Sequence, residues 1–63
     1  MKPHQERVVQ ELKDLDEKIE KLTVFIKGDV FNTLPMDEQG RLKQQLIYMR
    51  GYSTILSERI GAF

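Results

Sequence analysis

The stretch VVQELKDLDEKIEKLTVFI, residues 8–26, decides the fold. Val8, Leu12, Leu15, Ile19, Leu22 and Ile26 recur in it at spacings of 4, 3, 4, 3 and 4. That keeps the apolar side chains on one stripe of an α-helix and would scatter them over both faces of a strand. A helix over about 3–27 follows, with Pro3 in the first turn, where its missing N–H has no intrahelical partner to lose. Asp14, Glu17, Lys18 and Lys21 fall between the stripe positions and read as a solvated outer face. Its acid-before-base pairs, Asp14 with Lys18 and Glu17 with Lys21, are expected to add about 0.2–0.5 kcal/mol each.

Downstream of the stretch, Lys27 and Gly28 form a stop signal: a cation at the negative end of the helix dipole, then a residue free to turn left-handed. Residues 28–34 make a loop or one extra turn, with Phe31 and Leu34 placed to plug the open end. Pro35 opens a second helix over about 35–60, and Asp37 and Glu38 stand in its first turn, opposite the positive dipole end. The 4, 3, 4, 3, 4 spacing returns at Leu42, Leu46, Met49, Ser53, Leu56 and Ile60, with Gly61 as the expected cap. A connection this short makes the helices antiparallel neighbours. The fold class is therefore all-α, one antiparallel two-helix hairpin spanning residues 1–63.

A hairpin of 63 residues cannot bury much, since domains of this size hide only about 60% of the surface their unfolded chain exposes. The chain has no cysteine and one histidine, so neither a disulfide nor a structural metal is available, and self-association is the remaining source of stability. Pairing the two stripes also leaves Val9, Val24, Phe25, Ile47 and Ile55 without partners. Contiguous exposed apolar area of that kind marks an interaction surface, and the expectation is a helical-bundle homo-oligomer built from hairpins. Gly40 and Gly51, interior to the second helix, each cost about 1 kcal/mol relative to alanine. Gly51 either admits another backbone or a ligand, or is tolerated strain.

Charge is balanced overall, ten basic residues against ten acidic, which argues against a general DNA binder. It is uneven locally. Residues 39–57 hold Arg41, Lys43 and Arg50 and no carboxylate, whereas nine of the ten acids lie in the first 38 residues. No stretch approaches the roughly 20 apolar residues that span a bilayer, and the N-terminus lacks the apolar core of a secretory signal. The expectation is a soluble, cytoplasmic protein with no membrane partner. Catalysis by a lone chain is not expected: His4 lies at a fraying terminus, the carboxylates of the first helix stand beside lysines, and no glycine-rich phosphate loop follows a strand. No catalytic residue, metal ligand or cofactor is assigned. The remaining candidates are Tyr48, Arg50, Tyr52 and Arg59, with Arg41 and Lys43 one to two turns earlier. Tyrosine rings can stack on a nucleobase and guanidinium groups can fork onto a phosphate. A tyrosine pair at i, i+4 equally suits a helix interface with its hydroxyls reaching water.

Residues 7–60 as a whole, above all LDEKIEKLTVFIKGDVFNTLPMDEQGRLKQQLIYMRGYSTILSERI, resemble a family of small helical-hairpin proteins of tailed bacteriophages, including crAss-like phages. The resemblance rests on Arg7 and Val8, the LDEKIEKL helix, the Phe31/Leu34 loop, and Gln45, Leu46, Met49, Tyr52, Ile55, Leu56, Arg59 and Ile60 at helical spacing. A looser similarity, through two long helices and Gln45, Met49 and Arg59, connects the chain to the anti-CBASS and anti-Thoeris sponge hairpins of phages. Those proteins trap signalling nucleotides between subunits without cleaving them. The chain differs from them in its shorter length and in having no tryptophan near the start of the second helix. The resemblance implies a sponge for a cyclic oligonucleotide or a cyclic ADP-ribose-type signal, acting in the host bacterial cytoplasm. The alternatives are a module that inhibits a host protein through Ile47, Tyr48, Ile55 and Phe25, or a structural or regulatory bundle with no ligand.

Overall fold

The computed structural model describes all residues, 1–63. Helix α1 spans Pro3–Lys27, a single turn α2 spans Asp29–Asn32, and helix α3 spans Met36–Gly61. The two long helices pack along each other into a rod of 45 × 14 × 13 Å. Two hydrogen bonds cross between the helices at one level: Ser53 Oγ donates to Asp16 at 2.8 Å, and the Tyr52 hydroxyl donates to Glu11.

The two stripes meet as their spacing dictates. Every residue of both is buried or half-buried, and Val8, Leu46 and Leu56 are the most enclosed. Phe31 closes the turn end. It is the buried residue of α2, meets the Phe25 ring edge-on at 6.4 Å between centroids, and carries the Lys43 ammonium 5.7 Å above its ring. Phe25, expected to lack a partner, therefore finds one in the turn. Gln39 braces the entry to α3 by donating to the Leu34 carbonyl at 2.9 Å.

Three local expectations are corrected. Gly28 caps α1 in an extended conformation, φ −89°, and no residue has a positive φ. The turn α2 starts at once after it, so the chain runs straight on instead of folding back on a left-handed residue. Gly61 stays inside α3 and Ala62 is the cap, in the right-handed helical region. The pairs Asp14–Lys18 and Glu17–Lys21 do not close. Asp14 instead accepts from Gln10 at 2.9 Å, and the ion pairs that form are Arg41 with Asp37 and Glu38. Exposed pairs gain so little over hydration that either arrangement is accessible.

Only four of the 63 residues are buried. The hairpin is held by one seam, and the outer side of α3 keeps Ile47, Tyr48 and Ile55 in solvent.

Candidate functional site on the second long helix

Helix geometry sorts the six candidate residues. At about 100° per residue, Arg41, Tyr48, Tyr52 and Arg59 share one line along α3, spaced 7, 4 and 7 residues apart. The two arginines thus stand symmetrically, each about 10 Å along the axis from the nearer ring. Arg50, two residues from each tyrosine, points roughly 160–200° away from them, and Lys43 falls on Arg50's flank. These two are not brought to the tyrosines within one hairpin, and Lys43 is engaged with Phe31.

Arg41, Tyr48 and Tyr52 line a shallow open groove of about 550 Å³ together with Gln44, Gln45 and Met49. Its volume falls in the range of small-ligand clefts, roughly 300–1,000 Å³. The Tyr48 ring is 72% exposed and makes no hydrogen bond within the chain, so its face is free to stack. Arg41 is held by Glu38 at 2.9 Å and by Asp37 at 3.5 Å, both in solvent. An anion competing for that guanidinium gives up surface pairs worth only about 0–1 kcal/mol.

Tyr52 is tied to the first helix, because Glu11 on α1 accepts from its hydroxyl. That bond, with partial burial and the negative charge of Glu11, holds the Tyr52 phenol above the ordinary tyrosine value, while Arg59 pulls it down. A folded-state pKa raised above the unfolded one contributes stability that is present below about pH 10 and lost as pH rises through the raised value. The wild type is accordingly expected to be more stable than Tyr52→Phe at pH 7 and to lose that advantage above pH 10 in urea melts. The chain has two tyrosines, so in Tyr48→Phe the single phenol left should ionise above the ordinary value by absorbance at 295 nm.

Gln44 and Glu11 were not legible as site residues. Gln44 is one polar residue among several, and Glu11 comes into play only because the antiparallel register sets it beside Tyr52, 41 positions away. His4 is exposed at the start of α1, and no three His, Cys, Asp or Glu side chains converge in a way that could hold a metal ion. No helix is long and apolar enough to cross a membrane.

Fold and groove together define a small helical hairpin with an aromatic and arginine-bearing face on its second long helix. Residues 2–62 match the family Sequestin, and the chain belongs to the Sequestin family. No match is found among curated proteins or among solved structures.

Proposed function

We propose that this protein is a bacteriophage sponge, related to those of crAss-like and other tailed phages, that sequesters a cyclic nucleotide immune signal in the host bacterial cytoplasm. The hairpins self-associate, and the ligand lies at the boundary between copies. Tyr48 and Tyr52 stack on its bases while Arg41 and Arg59 neutralise its phosphates, with Arg50 and Lys43 adding positive potential from the other flank. The protein is not an enzyme, and the ligand leaves unchanged.

The single observation that carries this reading is the alignment of Arg41, Tyr48, Tyr52 and Arg59 along one exposed side of α3. Base stacking on tyrosine supplies about 1–3 kcal/mol per base, and arginine gives phosphate a bidentate, charge-assisted pair. The family name Sequestin, which denotes sequestration, supports the same reading. The exposed Ile47 and Ile55 also suit a module that docks on a host protein, but such docking gives no role to two arginines placed symmetrically about two rings.

Titration calorimetry against cyclic dinucleotides, cyclic trinucleotides and cyclic ADP-ribose isomers tests the proposal. At least one is expected to bind at micromolar concentration or below and to be recovered intact after heat denaturation of the protein. Binding of none refutes it, and recovery of a cleaved product refutes the sponge mechanism. In the docking reading, Arg59→Ala is silent and Ile47→Asp abolishes the biological effect.

A further inference from the structure

The bond from Tyr52 to Glu11 fixes which residues of α1 share a flank with those of α3. Arg7 stands one turn before Glu11, about 6 Å along α1 and about 40° round it. Arg59 stands seven residues beyond Tyr52, about 10 Å along α3 and about 20° round. The helices are antiparallel, so both displacements run toward the same end of the rod. Two arginines from opposite ends of the chain therefore come to one flank, within about 5 Å of one level.

Nothing in the hairpin answers their charge. Both ion pairs of the chain belong to Arg41. Glu6 and Glu58, next to the two arginines in sequence, lie about 100° round their helices and pair with neither. Arg7 also edges an open groove of about 400 Å³ beside Tyr52, with Gln10, Glu11, Asp14 and Lys18 along it. The two carboxylates of this groove are already engaged: Glu11 accepts from Tyr52, and Asp14 from Gln10 at 2.9 Å. Its two cations, Arg7 and Lys18, are in no ion pair. Tyr52 thus walls two grooves, this one and the one it shares with Tyr48, and the charge of Arg59 reaches its phenol.

We infer that Arg7 and Arg59 form a phosphate subsite that spans the two helices beside Tyr52 and takes a phosphate or pyrophosphate group. The inference rests on the nucleotide reading proposed above and deepens it, since it gives α1 a residue in the site. Two guanidinium groups on one flank repel each other, and an anion seated between them turns that repulsion into two attractions. Each fork can pair bidentately with phosphate oxygens. Helices packed side by side have axes about 8–10 Å apart, so two long side chains leaving them on the same flank can close on one group from either side. Arg59 alone, about 10 Å along the axis from the Tyr52 ring, holds a phosphate from one helix only. Arg7 supplies the second side and the link to the groove along α1.

Titration of the full chain with inorganic pyrophosphate, at ionic strength held constant with sodium chloride and followed by amide NMR, tests this. Saturable shifts at millimolar concentration or below are expected at Arg7 and Arg59. Arg7→Gln should weaken that binding about tenfold or more, the effect of losing one charge-assisted contact. Arg7 lies in the second turn of α1, toward the positive end of the helix dipole, so the loss of its charge does not weaken the helix and circular dichroism should be unchanged. Lys13→Gln removes the same charge about 160° round α1 from Glu11 and should leave binding as in the wild type. No saturable binding by the wild type, equal binding by Arg7→Gln, or an equal loss in Lys13→Gln overturns the subsite. The nucleotide panel separates this result from the sponge reading. Nucleotides that bind should lose affinity in Arg7→Gln by a similar factor, whereas binding of adenosine, which has no phosphate, should not change. A chain that takes pyrophosphate at Arg7 and none of the nucleotides refutes the sponge and leaves the anion site standing. Nucleotide affinity unmoved by Arg7→Gln overturns the subsite and leaves the sponge standing.

Discussion

Leu56→Ala is expected to leave the hairpin only marginally folded, read as a large drop in the midpoint of its far-ultraviolet thermal transition. Leu56 is the one side chain with no exposure at all, so its replacement leaves a cavity that the seam must collapse around. Leucine-to-alanine changes in cores cost about 2–5 kcal/mol. At about 0.05–0.15 kcal/mol per residue, the whole chain has on the order of 3–9 kcal/mol to lose. A loss of that size takes a large share of the reserve and brings the variant near its unfolding threshold. The control is Val24→Ala on the outside of α1, where the side chain is 65% exposed and the expected change is within about 0.5 kcal/mol. A Leu56→Ala protein that melts with the wild type would show that the seam is not what holds the helices together.

Tyr48→Ala should leave the fold intact and weaken ligand binding about 5- to 150-fold, the equivalent of about 1–3 kcal/mol for one lost base stack. The separation of the two effects follows from where the ring stands. Tyr48 has no hydrogen bond in the chain and is largely exposed, so the hairpin loses little when it goes. In a symmetric assembly every copy loses its ring at once, which puts the expected loss toward the upper end. Tyr48→Phe keeps the π-face and should keep most of the affinity, because stacking and not the hydroxyl carries the contact. Calorimetry with the best ligand of the panel decides it. Equal affinity in Tyr48→Ala removes the stacking role, and equal loss in Tyr48→Phe transfers that role to the hydroxyl.

The contrast between Tyr48 and Tyr52 shows how far the primary structure reaches. Both stand on one helical line, and spacing alone makes them equivalent. They differ in the folded chain because Tyr52 lies one turn nearer the seam's far end, opposite Glu11, where its hydroxyl is held and its phenol shifted upward. Arg50 and Lys43 show the converse limit. Composition gathers them with Arg41 into one carboxylate-free stretch, but an angle of about 100° per residue sends them to the other flank. Counting cations along the chain therefore overstates how many can reach one phosphate.

The sequence by itself determined the two helices and the stripes that join them, because a 3.6-residue period is a local property and each apolar position is dictated by its neighbours three and four residues away. It also determined that one short connection would make them antiparallel. Only the tertiary structure decided the contacts between the helices, Tyr52 with Glu11 and Ser53 with Asp16. Those outcomes depend on the rotation and register of one helix against another. That is a relation between residues distant in the chain, set by how the seam packs and not by any local repeat.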